Sequence, residues 1–182
     1  MKNIMVDLET LGTAADSVII AIGAVEFSSD GVSNNTFYVN VDPEDCQKHG
    51  LTISAATVLW WLGPKVTNEA RMAIVEPKKT SLKESLTNFT DWASHGTNSP
   101  KDITVWGNGS DFDNVLLAHA YEKIGLKEPW YYGNNRCYRT IKNLWPKVEM
   151  KERSGHHHNA LDDAKSQANH LLELLKVGKI TI

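Results

Sequence analysis

The chain has 182 residues, 23% of them charged and 41% apolar, with a net charge of -3 and a pI near 6.1. That is enough for one domain with a sizeable core and too short for two ordinary ones. The composition excludes a disordered chain, and the mild acidity argues against a broad basic surface of the kind that wraps duplex DNA. Cys46 and Cys137 are far apart and flanked by no second thiol, so no C-x-x-C site and no disulfide framework are expected. No apolar run approaches a membrane span, and strand pattern begins at once, leaving no room for a signal peptide. The expected location is the cytoplasm, with no membrane partner.

In chain order, the first strand is predicted over residues 3–8. Residues i and i+2 of a strand share a face. Ile4, Val6 and Leu8 therefore face one side, and Met5, Asp7 and Glu9 the other. Residues 18–27 are β-rich and apolar enough for a central strand, Ser28-Ser29-Asp30-Gly31 is turn chemistry, and residues 36–41 alternate as a third strand. Helices follow. Ser54 can cap a segment through Leu62, ended by Gly63-Pro64, and another runs from Val66 to Ile74. Thr80 or Ser81 caps a third, with an apolar stripe of Leu82, Leu86, Phe89 and Ala93.

Ile103-Thr104-Val105-Trp106 is a short buried strand stopped by Gly107-Asn108-Gly109. Residues 111–124 then form a helix ending at Gly125, and Arg139 to Leu144 is helical. Lys147 to His157 is polar and irregular. A last helix over 159–176 carries the stripe Ala160, Ala164, Ala168, Leu171, Leu172 and Leu175. There is no repeat, low-complexity stretch or dividing linker, so residues 1–182 are expected to form one domain. Three hairpin-like strands followed by βα alternation predict an α/β mixed sheet.

Two carboxylates side by side at the end of an apolar strand repel each other, and a divalent cation relieves that. Hard oxygen ligands suit Mg²⁺ or Mn²⁺. Alone, the Asp7–Glu9 pair also fits a solvated strand end. Asp111 and Asp113 both fall in a strand-to-helix junction, where α/β proteins gather ligands. Helix capping explains Asp111 best and fits Asp113 equally with a site role. His158 precedes a helix whose first turns carry Asp162 and Asp163, one of which capping can explain. The His-His-His run has neither the cysteines nor the spaced histidine pair of a zinc site. Four acidic positions and one histidine thus fall at strand ends and helix starts. Two-metal phosphoryl hydrolysis uses such a set: carboxylates hold two cations about 3.5–4 Å apart, and a histidine takes the proton of the attacking water.

Asp7-Leu8-Glu9-Thr10 with Gly12, Asn108 through Phe112-Asp113, and His158-x-Ala160-x-x-Asp163-Ala164 stand in order along nearly the whole chain. Together they resemble the DEDD exonuclease superfamily in its DEDDh branch. Trp60-Trp61 and Trp106-Gly107-Asn108-Gly109 look most like the small DexA-type phage and prophage exonucleases and related bacterial exoribonucleases. The resemblance implies a ribonuclease H-like fold: a mixed five-stranded sheet, antiparallel meander then parallel strands, flanked by helices. It implies that Asp7, Glu9, Asp113 and Asp163 hold two divalent cations, Mg²⁺ or Mn²⁺, with His158 as general base. The implied activity is 3′-5′ exonuclease action on single-stranded DNA or RNA ends, releasing nucleoside 5′-monophosphates. A phosphodiesterase for very short oligonucleotides is the alternative; a non-catalytic nucleic-acid-binding module should have lost carboxylates. Relatives are often dimers, so the resemblance allows a homodimer.

His157 and Asp162 share the five-residue separation of His158 and Asp163, and the alanines favour the latter register. The polar loop is expected to bring His158 into place only with substrate and metals. Thr10 and Leu11 should face the terminal nucleotide, with Asn108 beside the site. Trp60, Trp61 and Phe112 are candidates to stack on bases, against a reading as core. Core packing is the better reading for either tryptophan alone, and adjacent helical residues point about 100° apart, so at most one of Trp60 and Trp61 is expected at the site. Arg136 and Arg139 are the nearest to a phosphate-binding pair.

Overall fold

The computed structural model describes residues 1–75, 78–151, 153 and 155–182. Within the polar stretch 147–157, Glu152 and Ser154 lie outside the described residues. Strands β1 (Lys2–Thr10), β2 (Ile19–Ser28), β3 (Gly31–Asn40), β4 (Ile103–Gly107) and β5 (Asn135–Cys137) form a sheet in the order β3-β2-β1-β4-β5. The first three make an antiparallel meander; β4 runs parallel to β1, and β5 parallel to β4. This is the anticipated mixed sheet of the ribonuclease H-like fold.

Two strands depart from the expected bounds. β3 starts at Gly31 rather than near residue 36, because Ser28 pairs directly with Gly31 across a tight turn. Its first half, Val32-Ser33-Asn34-Asn35, is polar because β3 is an edge strand, where no apolar alternation is required. β5 is only three residues long and also lies at an edge. Asn-Arg-Cys carries no strand pattern, so the sequence predicts no strand there.

The helices are α1 (Pro43–Lys48), α2 (Ala55–Leu62), α3 (Asn68–Val75), α4 (Leu82–Ser94), α5 (Asp113–Lys123), α6 (Tyr138–Leu144) and α7 (Ala160–Gly178). The unanticipated α1 carries ordinary start signals: the Asp42 carboxylate accepts from the Glu44 backbone N–H at 2.9 Å, and Pro43 opens the first turn. Ser81, not Thr80, caps α4. Ser54 precedes α2 but its side chain makes no cap bond. Its backbone N–H instead donates to the Leu11 carbonyl at 2.7 Å, which ties α2 to the end of β1.

The sheet separates two apolar layers. Ile4, Val6 and Leu8 pack with Leu82, Leu86, Phe89 and Ala93 of α4 and with Leu116, Leu117 and Ala120 of α5. Met5, Val25, Phe27 and Trp106 pack with Tyr138 of α6 and Ala164, Ala168, Leu171 and Leu175 of α7. The strand alternation therefore turns Asp7 and Glu9 towards α7. Gly23 lies opposite Asp7 in the β1–β2 ladder, and a Cβ there would stand 2.2 Å from the Ala160 carbonyl carbon. The missing side chain lets the N-terminus of α7 rest on the strand backbone, beside the carboxylates of β1. Among the described residues no helix is long and apolar enough to cross a membrane.

Candidate active site

Three carboxylates converge where β1 meets α7. One oxygen from each of Asp7, Glu9 and Asp163 lies within 4.8 Å of the others. Glu9 and Asp163 are buried and Asp7 is half-buried. Asp113, the first residue of α5, reaches the same strand end: its Oδ1 accepts from the Leu8 N–H at 3.2 Å and its Oδ2 from the Asn108 N–H at 2.9 Å. Gly107 makes room for it, since a Cβ there would stand 3.0 Å from the Asp113 side chain and 2.5 Å from Asn114 Oδ1. Asp111 does not cap α5 as expected: it is exposed, and the residue at the cap position, Phe112, makes no side-chain cap bond.

The two candidate aspartates, Asp162 and Asp163, point to different partners. Asn159 caps α7, accepting from the Leu161 and Asp162 N–H groups. Asp162 turns back to accept from the His156 N–H at 2.9 Å. Asp163 accepts from the His158 N–H at 3.1 Å and joins Asp7 and Glu9. The His158 ring stands beside Asp163 already, with the ligand atoms of His157, His158 and Asp163 within 4.8 Å of one another, rather than swung away from the site. His158 has φ +63°, a left-handed conformation that non-glycine residues seldom adopt and that clusters at functional sites. Arg153 forms an ion pair with Asp163.

A cleft of about 510 Å³ opens beside the carboxylates, lined by Glu9, Thr10, Gly12, Ser54, Trp60, Trp61 and Phe112 among others. Trp61 is buried and its Nε1 donates to the Thr10 carbonyl at 2.9 Å, fixing the indole against β1. Both tryptophans line the cleft, where at most one is expected from the helix geometry. Their ring centroids are 5.4 Å apart, so the reach of two indoles overcomes the angular separation of adjacent helix positions. The His158 ring lies 5.0 Å from that of Trp60. Leu11 is not among the lining residues; it packs against the core under β1. Asn108 serves Asp113 through its backbone, and Arg139 donates to the Asn108 carbonyl. Arg136 donates to the Gly133 and Asn135 carbonyls, and neither arginine forms an ion pair among the described residues.

Burial pushes the Asp7 carboxyl well above the usual range, reinforced by Asp113, Glu9 and Asp163 and offset by a hydrogen bond from Gln167. Burial, then Asp163 and Asp113, raise Glu9 to about 8. Burial raises Asp113 to about 7, against the pull of the Leu8 and Asn108 N–H groups and of Arg139. Such a set holds protons that the unfolded chain, with carboxyl values near 4, has already lost. Stability of the metal-free protein should therefore be greatest below about pH 4 to 5 as far as these groups govern it, and fall as pH rises towards 8. The groups share this effect, since each raises the others, so the melting temperature should fall by several degrees or more across the window. Thermal melts in chelator between pH 5 and pH 8.5 should show that fall, and saturating Mn²⁺ should remove it. A melting temperature that rises over this range in chelator would mean that the carboxylates are not held together unpaired.

The donor set suits a hard divalent cation. It is all oxygen, crowded and short of counter-charge, with Arg153 the described cationic side chain paired to it. Gln167, whose Nε2 donates to Asp7, keeps its Oε1 buried without a hydrogen-bond partner among the described residues. Gln167 and Arg153 stand outside the motifs read from the sequence. The i, i+4 spacing of Gln167 from Asp163 on one helix is a signal that could have found the first; Arg153, in an irregular segment, has none.

Among known proteins, the family model of the Rv2179c-like 3′-5′ exoribonuclease domain matches residues 2–175. A search of curated protein sequences gives no match. Among solved structures, the nuclease domain of 3′hExo, a DEDDh family member bound to rAMP, is similar with a TM-score of 0.67 at 18% identity, covering 97% of this chain and 92% of that one. Exonuclease X, in complex with 5′ overhanging duplex DNA, has a TM-score of 0.62 at 18% identity, covering 98% and 94%. E. coli Exonuclease I, in complex with a dT13 oligonucleotide, has a TM-score of 0.68 at 14% identity, and the match covers 96% of this chain but 41% of that larger one. At these identities the likeness establishes the ribonuclease H-like fold, while the family match spans nearly the whole chain. The chain belongs to the Rv2179c-like 3′-5′ exoribonuclease domain family and is a 3′-5′ exonuclease.

Proposed function

We propose that the chain trims single-stranded RNA from its 3′ end, releasing nucleoside 5′-monophosphates, with two divalent cations, Mg²⁺ or Mn²⁺, and His158 as general base. The observation that carries this reading is the convergence of Asp7, Glu9 and Asp163 beside a cleft walled by aromatic rings. RNA is favoured over DNA by the family to which the chain belongs. Asp7, Glu9, Asp113 and Asp163 would hold the cations. When bound, these act as Lewis acids that lower the pKa of water and stabilise the charge that develops at phosphorus.

The remaining steps fall to the side chains. The cleft accepts the terminal nucleotide, with Thr10 on its floor and Trp60, Trp61 and Phe112 offering stacking surfaces. Stacking contributes about 1–3 kcal/mol per base and tolerates any sequence. His158 takes the proton of the attacking water at a ring nitrogen. Burial and the neighbouring His157 hold its pKa below the usual histidine value, with Asp163 opposing, so the ring is neutral and ready to accept at physiological pH.

The test is a degradation assay on 5′-labelled RNA and DNA of one sequence, with Mg²⁺, Mn²⁺ or chelator. A ladder of 5′-labelled products shortening from the 3′ end, nucleoside 5′-monophosphates as the released species, faster loss of RNA than DNA and no turnover in chelator are expected. Release of nucleoside 3′-monophosphates, or undiminished turnover in chelator, would overturn the mechanism. A two-nucleotide substrate consumed far faster than a long one would move the reading to the short-oligonucleotide phosphodiesterase.

A further inference from the structure

Gln167 belongs to none of the three motifs, yet it touches the centre of the site. It is 6% exposed and lies on α7 four residues after Asp163, which places both side chains on one helix face. Its Nε2 donates to Asp7 Oδ1 at 2.7 Å, a bond between the last helix and the first strand. Its Oε1 is buried and has no hydrogen-bond partner among the described residues. A buried amide normally satisfies both ends. Here the donor is committed to a carboxylate surrounded by three others, and the acceptor stays open beside a site whose oxygen donors suit a hydrated cation.

We infer that Gln167 is a positioning residue for cation binding: it holds one oxygen of Asp7 so that the carboxylate stays turned towards Glu9 and Asp163. Hydrogen bonding by a neighbour fixes the orientation of a ligating group before the ion arrives, and loss of such a neighbour typically weakens metal binding about 10–100-fold. The donor suits this role for a second reason. An amide N–H orients Asp7 without adding to the negative charge of the cluster, whereas a fifth carboxylate would add to it, and a lysine ammonium would compete with the cation.

The inference rests on Asp7 being a cation ligand, as proposed above, and the experiment separates the two. Mn²⁺ dissociation constants are measured by titration calorimetry for the parent, Gln167→Met, Gln167→Asn and Asp7→Ala, alongside thermal melts in chelator. Met keeps the length and removes the donor; Asn keeps the amide but draws it back by one methylene. Both Gln167 variants should melt in chelator close to the parent, bind Mn²⁺ about 10–100-fold more weakly, and recover turnover to within a few-fold once Mn²⁺ saturates. A folded Gln167 variant with parental Mn²⁺ affinity overturns the inference, and if Gln167→Met does not fold, Gln167→Asn decides. Parental affinity in Asp7→Ala would instead remove Asp7 from the ligand set. Loss in Asp7→Ala with no change in the Gln167 variants would sink the positioning role alone.

Discussion

Asp7→Asn should abolish nucleolytic turnover and leave the metal-free protein at least as stable as the parent. Asp7 faces Glu9, Asp113 and Asp163, all of which raise its pKa, so its negative charge is unwelcome in the metal-free fold. Asparagine keeps the shape and removes the charge, and its carbonyl oxygen can still accept from Gln167 as Asp7 Oδ1 does. The melting temperature in chelator near pH 8 should therefore hold or rise by a few degrees, and the fall in stability between pH 5 and pH 8.5 should become shallower. Turnover depends on the opposite property, the attraction of these charges for a cation. Lewis-acid stabilisation by a bound ion contributes several kcal/mol, and each ~1.4 kcal/mol is tenfold in rate, so the loss should be on the order of 10³-fold or more. Fluorimetric melts in chelator and a turnover assay in excess Mn²⁺ report the two effects independently. A large drop in melting temperature would make Asp7 a structural residue; near-parental turnover would remove it from the catalytic set.

The parts of the site legible in the sequence are those fixed by local periodicity. Alternation in β1 places Asp7 and Glu9 on one face, and the cap position at Asn159 places Asp163 in the first turn of α7. The motif order then assembles them. What escaped depends on tertiary approach. No pattern in Gly23 announces that α7 will rest on it, and nothing in Asn135-Arg136-Cys137 announces a strand, because an edge needs neither apolar alternation nor length. The reach of both Trp60 and Trp61 into one cleft reflects side-chain size, which a helix wheel ignores. The place of Leu11 in the first motif points to the substrate, yet the chain turns after Thr10: the Leu11 N–H donates to the Val18 carbonyl, and its partly buried side chain packs against the core.

His158→Ala should cut turnover about 10²–10⁴-fold, the usual contribution of a positioned proton acceptor, with substrate affinity nearly unchanged because the carboxylate site and aromatic cleft remain. The structure sharpens the comparison with its neighbour. His157 and His158 both bring a ring nitrogen close to Asp163, so proximity alone does not choose between them. Two further features favour His158. It is the less exposed of the pair and packs 5.0 Å from the Trp60 ring, at the wall of the cleft, whereas His157 is exposed. It is also locked by its own N–H to Asp163 in a left-handed conformation, which ties the ring position to a carboxylate of the site. His157→Ala should therefore alter turnover by no more than a few-fold, and by removing a neighbour that depresses the His158 pKa it should move the acidic limb of the pH–rate profile slightly upwards. That limb arises because a general base works only when neutral, so turnover rises with pH through the His158 pKa and then levels. His158→Ala should lose the limb together with the rate. Full pH–rate profiles of the two variants, taken at saturating Mn²⁺, decide the matter. An inactive His157→Ala beside an active His158→Ala with the limb intact would transfer the base to His157, while Asp163, turned to Asp7 and Glu9, would keep its place.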